Sequence, residues 1–175
     1  MGVLRLLDQG GKEISSPSEI KKYMIERGII FEQWEASQPL KDSDSQETIL
    51  AAYEHELAPY MKKNGYVNAD VINVHKDTPN IEAIRAKFLS EHTHAEDEVR
   101  FFVDGEGEFF FHLKDRNEVF SLLCQKGDFI SVPKGYTHWF DLAPSYHVKA
   151  IRVFMTPEGW VANYTQSGVE KSYQK

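Results

Sequence analysis

Residues 91–102 read EHTHAEDEVRFF: two histidines and four carboxylates in twelve positions, leading straight into an aromatic run. His92 and His94 stand two apart, and on a strand such residues point to the same side. Both imidazoles can therefore face one point. Glu98 keeps that parity if the strand continues, or bends back if Ala95–Asp97 form a turn. A further candidate, His138, lies far along the chain in PKGYTHWF, residues 133–140. Two histidines on one strand and a third on a neighbour would hold a metal rigidly on a sheet. By itself a His-x-His pair is ordinarily surface or core filler. His55, His75 and His147 read as structural or solvated, and so does His112, which could also support a ligand from behind.

The surroundings of these histidines are strand-like. EVRFFVDGEGEFFFHL (98–113), EVFSLLCQKGDFISV (118–132), THWFDL (137–142) and VKAIRVFM (148–155) are β-rich runs punctuated by Gly, Pro and Asp. That pattern predicts an antiparallel sandwich or barrel. DGEGE (104–108), between two aromatic runs, predicts a hairpin. Residues 1–85 differ, mixing strands and helices. VLRLLD and KEISS flank QGG and predict a hairpin. SSPSEIKKYMIERGI reads as a helix with Ser16 as cap, Pro17 at its first position and Gly28 at its end. IIFEQWEA reads as a strand. DSQETILAAYEHELAPYMKKNGY predicts a second helix, opened by Asp44 and Glu47 as a capping box and kinked or shortened by Pro59. Its apolar stripe of Ile49, Leu50, Tyr53, Leu57, Tyr60 and Met61 belongs to a core. PNIEAIRAKFLSEH is a third, short helical segment.

Bulk properties exclude several classes. The 175 residues suit one domain, with residues 1–85 as a mixed elaboration on a β core spanning 86–165. A net charge of −7 with scattered Lys and Arg argues against nucleic acid. No apolar run approaches the roughly 20 residues of a membrane helix. MGVLRLLDQGGK has neither the charged start nor the cleavage site of a signal peptide, and Leu6 stands where a myristoylation motif wants Ser or Thr. The lone cysteine, Cys124, forbids an internal disulfide, suits a reducing cytoplasm and reads as a small core side chain.

The longer spacing is more specific. His92-x-His94, three residues, Glu98, six residues, Gly105 is followed by Gly127, five residues, Pro133, one residue, Gly135, two residues, His138. Together these resemble the two metal-binding motifs of the cupin superfamily, whose members are small double-sheet jelly rolls. Two positions depart from the family pattern, Ala86 for an opening Gly and Leu142 for a closing Asn, and neither is a ligand. EHTHAEDEVRFFVDGEGEF, GDFISVPKGYTHWFDL and AIRVFMTPEGWVANY, with FEQWEA and GYVNADVINV earlier, are similar to the acireductone dioxygenases of methionine salvage over nearly the whole chain. HAEDEVRFF and PEGW are particular to that family among cupins.

The resemblance implies a mainly β cupin decorated by an α/β portion, with His92, His94, Glu98 and His138 holding one Fe2+ or Ni2+ and no organic cofactor. Three imidazoles and a carboxylate suit iron, nickel, cobalt or manganese. It further implies a cytoplasmic monomer acting on acireductone and O2. Iron would yield formate and 4-methylthio-2-oxobutanoate, and nickel formate, CO and 3-methylthiopropionate. Arg100 shares the parity of Glu98 and so points into the same cavity, to orient an oxyanion or to pair with a neighbouring acid. Arg152 follows the same logic. Phe88, Phe140 and Trp160 match pocket-lining aromatics of the family, and Glu96 and Asp97 could steady the histidines. The competing readings are a non-catalytic cupin that binds a small anionic ligand, and a cupin isomerase or a dioxygenase acting on another substrate.

Overall fold

The structure is a computed structural model describing residues 2–156 and 160–173. The strands are β1 (Val3–Leu6), β2 (Lys12–Ile14), β3 (Ile30–Gln33), β4 (Asn68–Val74), β5 (His92–Thr93), β6 (Glu98–Leu113), β7 (Glu118–Gln125), β8 (Asp128–Val132), β9 (His138–Asp141), β10 (Val148–Phe154) and β11 (Asn163–Tyr164). The helices are α1 (Pro17–Ile25), α2 (Gln46–Ala52), α3 (Glu54–Asn64) and α4 (Ile81–Leu89). Among the described residues no helix is long and apolar enough to cross a membrane.

One strand organises the rest. The first half of β6 pairs with β8 and β10, giving the antiparallel order β4-β10-β6-β8-β3. Its second half pairs with β7 and β9 in the order β11-β5-β9-β6-β7-β1-β2. The two sheets thus share β6 and face each other across a common core, the double-sheet arrangement expected from the resemblance.

The expected hairpin at DGEGE is absent, because the strand runs through it. Opposite β10 the register slips: Lys149 faces Asp104 while Ala150 faces Phe102, leaving Val103 as the extra residue of a bulge. Gly105 follows with φ +73°, and a Cβ there would stand 2.0 Å from the His147 carbonyl oxygen. A bulge plus a left-handed glycine bends a strand and increases its twist, and here the bend passes β6 from one sheet to the other. The chain reverses instead at residues 114–117, where Asn117 has φ 52° and β7 returns along β6.

Strand parity then sorts the side chains. Phe102, Phe109 and Phe111 enter the core between the sheets with Leu4, Phe120, Phe140 and the α1 residues Ile20 and Met24. Val99, Phe101 and Val103 face the other way, under Trp34 and the α2–α3 residues Ile49, Tyr53 and Leu57. Residues 98–103 of β6 are therefore buried on both faces, which is why that stretch is apolar apart from Glu98 and Arg100.

The predicted second helix is two helices. The helix breaks at Tyr53, whose ring packs 4.4 Å from Phe101, and α3 then runs through Pro59 to Asn64. Ser45, not Asp44, is the cap, accepting from the Thr48 amide, while Asp44 accepts from the Lys41 amide in the preceding turn. The apolar stripe lies where expected: Ile49, Tyr53 and Leu57 are buried, with Leu50, Tyr60 and Met61 against them. Ser16 stands at the start of α1 without a side-chain capping bond to the helix, although Pro17 opens that helix as predicted. Cys124 is fully buried, and burial pushes its thiol well up.

Candidate metal centre

His92 on β5 lies directly opposite His138 on β9 in the strand register. Beyond Thr93 the chain leaves the strand, bends through Ala95 and Glu96, and enters β6 at Glu98. Of the two routes open to Glu98, the turn is the one realised. Candidate ligand atoms of His92, His94, Glu98 and His138 all lie within 4.8 Å of one another, and all four residues are buried.

Backbone carbonyls aim the three rings. His92 Nδ1 is 2.7 Å from the Ser90 oxygen, His94 Nδ1 is 2.9 Å from Val161 and His138 Nδ1 is 2.9 Å from Tyr136. A carbonyl only accepts, so each Nδ1 donates to its carbonyl and each Nε2 is left to face the cluster. His138 Nε2 and His94 Nε2 turn inward to 2.8 and 3.1 Å from Glu98 Oε2. Burial, reinforced by His138, pushes His92 down to about 4, so it is neutral at physiological pH. Burial also acts to lower His94, but its contact with Glu98 outweighs this and raises it. For Glu98 burial works upward, and Arg100 and the two histidines hold the carboxyl well below its usual range.

Glu96 and Asp97 do not steady the histidine rings. Glu96 accepts from the Met155 amide at 2.8 Å. Asp97 accepts from the Lys134 amide at 2.8 Å and from the Tyr66 hydroxyl at 3.3 Å. Asp97 thereby ties the bend before Glu98 to the Pro-Lys-Gly turn before His138, and the Gly135 amide, donating to the His94 carbonyl at 2.9 Å, adds a second tie. These acids place the backbone, and the carbonyls place the rings.

Arg100 is buried beside the cluster, as its parity required. Its Nε approaches Glu98 Oε1 at 2.7 Å, an ion pair without hydrogen-bond alignment. Around the guanidinium carbon stand the ring centres of Phe140 at 4.7 Å, Trp160 at 5.3 Å, Phe109 at 5.5 Å and Phe88 at 5.7 Å. Ring faces stabilise a cation electrostatically. Arg100 Nη1 and Trp160 Nε1 are buried donors without a protein acceptor among the described residues. All three predicted pocket aromatics thus converge on one cation. Phe109 joins them and was not singled out in the sequence; it sits opposite Phe140 in the β6–β9 register, a pairing visible only once β6 is known to be continuous.

Arg152 differs. It lies opposite Arg100 in the β10–β6 register, but its fork is taken by Asp70 on β4, at 2.8 and 2.6 Å. Its guanidinium still stands 5.8 Å from the Trp160 ring. Two more contacts carry no sequence signature: the Val161 carbonyl on His94, and the Tyr164 ring 5.9 Å from His92. His112 bonds through Nδ1 to Glu91 at 2.8 Å rather than to a ligand. Pro157, Glu158 and Gly159 of the PEGW stretch lie outside the described residues. A surface cleft of about 590 Å³ lined by Trp34, Tyr53, Val103 and Gly127 lies on the opposite face of β6 and contains none of the cluster.

The model of the ARD/ARD′ family matches residues 6–162. An acireductone dioxygenase of Picosynechococcus sp. is 52% identical over 161 residues, covering 92% of this chain and 91% of that one. Acireductone dioxygenase 2 of Pectobacterium atrosepticum is 47% identical over 156 residues, covering 89% and 85%. The solved acireductone dioxygenase of Bacillus anthracis, with a cadmium ion in its active centre, superposes with a TM-score of 0.85 at 35% identity, covering 94% and 98%.

Proposed function

Since this chain belongs to the ARD/ARD′ family of acireductone dioxygenases, we propose that it cleaves 1,2-dihydroxy-3-keto-5-methylthiopentene with O2 at the His92–His94–Glu98–His138 cluster, the bound metal selecting the products. The observation that carries the reading is the convergence of three inward Nε2 atoms and one carboxylate beside a buried arginine. Carbonyl-locked tautomers supply neutral nitrogen donors, and the set includes no thiolate, which fits divalent iron or nickel. Such an ion supplies a Lewis acid and a template for a chelating substrate.

The chain's own residues do the rest. Arg100, paired with Glu98 and with Nη1 lacking an acceptor among the described residues, offers its charge to orient a substrate oxyanion. Trp160 Nε1 offers a second donor from the adjacent wall. Phe88, Phe109 and Phe140 give an apolar surface suited to the methylthio tail and exclude water around the reacting atoms. Arg152, its fork taken by Asp70, stands behind the Trp160 ring and helps to seat it. The substrate supplies all the electrons for O2, so no organic reductant is needed. One acireductone and one O2 balance as formate plus 4-methylthio-2-oxobutanoate with iron. They balance equally as formate, CO and 3-methylthiopropionate with nickel.

The test is oxygen consumption by apo protein reloaded anaerobically with iron(II) or nickel(II), on freshly generated acireductone, with products identified. Uptake giving the 2-keto acid with iron and CO with nickel is expected. Identical products with both metals would refute selection by the metal, and uptake no faster than the spontaneous reaction would refute the substrate.

A further inference from the structure

We propose that Glu91 is a positioning residue for the metal centre, acting through the C-terminal segment 160–173 that it clamps onto β5. The inference rests on the cluster being a metal centre, and it concerns how one ligand of that centre is held.

That segment contributes three things to the site: Trp160 beside Arg100, the Val161 carbonyl on His94 Nδ1, and the Tyr164 ring on His92. Beyond Trp160, whose ring packs 4.7 Å from Phe154, apolar burial does little to hold it there. Residues 160–168 include no buried residue, Val161 is 67% exposed, and β11 pairs with β5 over only two residues. Further on, Val169 and Tyr173 pack against the Phe110–Trp139 cluster, which anchors the end of the segment but not its middle.

Besides the short β11–β5 pairing and the Tyr164 hydroxyl, which donates to the Lys87 carbonyl at 3.3 Å, the middle is held by one carboxylate. Glu91 is 2% exposed, immediately before His92. Its Oε1 accepts from Ser167 Oγ at 2.6 Å and from Thr165 Oγ1, and its Oε2 faces His112 Nδ1 at 2.8 Å. Lys114 Nζ stands 3.9 Å from Oε1. The Thr165 amide adds a backbone bond to the Glu91 carbonyl at 3.0 Å. A buried carboxylate held by this many donors is a strong and directional anchor. It fixes residues 165 and 167, and so places Val161 only four residues upstream. His92 and His138 take their carbonyls from within their own segments, two residues away, whereas His94 takes its own from 67 residues away. His94 is thus the ligand whose orientation depends on the clamp.

The test uses cadmium-loaded protein and the double variant Thr165→Val/Ser167→Ala, which removes both hydroxyl donors without touching β5. Amides of residues 161–167 should exchange about ten-fold faster. Cadmium release to excess chelator should accelerate by about ten-fold, in line with other changes behind a metal ligand. The His94 Nδ1 proton signal should weaken while those of His92 and His138 stay unchanged. Thr165→Ser/Ser167→Thr keeps both hydroxyls and should behave as wild type. Glu91→Gln, which keeps the shape but not the charge, should move the same readouts in the same direction. Wild-type exchange and release in the Val/Ala variant would overturn the proposal, as would equal loss in the variant that keeps its hydroxyls. Neither exchange nor the proton signal requires acireductone, so failure of the clamp and failure of the substrate assignment are told apart.

Discussion

Gly107 offers the sharpest test of the pocket's construction. A Cβ at Gly107 would lie 2.1 Å from Phe140 Cζ, 2.7 Å from Cε2 and 3.0 Å from Cε1. Ordinary contact begins near 3.4 Å, so in Gly107→Ala the ring must retreat by about 3.4 − 2.1 = 1.3 Å. It has little room. Phe140 is 1% exposed, with Phe109 at 4.8 Å, Phe88 at 6.2 Å and the Arg100 guanidinium at 4.7 Å. Overpacking of this kind costs about 1–3 kcal/mol. At about 2–4 °C per kcal/mol for a chain of this size, the melting temperature should fall by roughly 2–12 °C. Because the displaced ring supports Arg100, and a misplacement of about 1 Å can cost up to 10²-fold, kcat/KM should fall by about that factor with metal content unchanged. Thermal unfolding of the metal-loaded protein and oxygen uptake measure the two effects. Phe140→Leu placed on top of Gly107→Ala should recover more than half of the lost stability, since the two residues touch and their effects are coupled. A Gly107→Ala protein with wild-type melting temperature and turnover would refute the argument that this glycine exists to seat Phe140.

Three further outcomes are expected. Arg100→Ala should retain the metal but lose at least about 10²-fold in turnover; it should destabilise the metal-free protein by roughly 3–5 kcal/mol through the unpaired Glu98, and normal turnover would reduce Arg100 to a structural role. His94→Ala should drop metal content well below one ion per chain by elemental analysis, and full occupancy would remove His94 from the ligand set. Asp128 concerns pH. Burial raises its carboxyl above the usual 3.8, against bonds from the Gln125 amide and Gln33, so the folded state keeps a proton that the unfolded state has released. Stability from this group is present below pH 3.8 and is lost as pH rises through the raised value. Asp128→Asn removes that dependence, so wild type should gain on the variant when denaturation is compared at pH 7 and then at lower pH. A gap that stays flat or moves the other way would contradict it.

The candidate ligand set was legible because it is written in side-chain types and short spacings. His92, His94, Glu98 and His138 have the chemistry a divalent ion needs, and the glycines and proline around them mark the turns that aim them. Arg100 was legible by parity, since period two operates within one strand whatever the rest of the fold does. The membership of Ile49, Tyr53 and Leu57 in a core followed equally from periodicity.

Other features were settled only by tertiary structure. DGEGE satisfies a hairpin and a bulge equally well, because a glycine with positive φ serves both. The choice fell to the partners of β6, which pair with its two halves in different sheets. Among the four carboxylates of EHTHAEDEVRFF, composition could not say that Glu98 faces the histidines, Glu96 and Asp97 brace the backbone, and Glu91 gathers the C-terminal segment. Arg100 and Arg152 read alike in sequence and part company because Asp70, on a distant strand, claims one of them. The groups that orient the three imidazoles are main-chain carbonyls, which every residue possesses. Which carbonyl arrives at His94 is determined by where residues 160–168 lie, and that is a property of long-range packing and register.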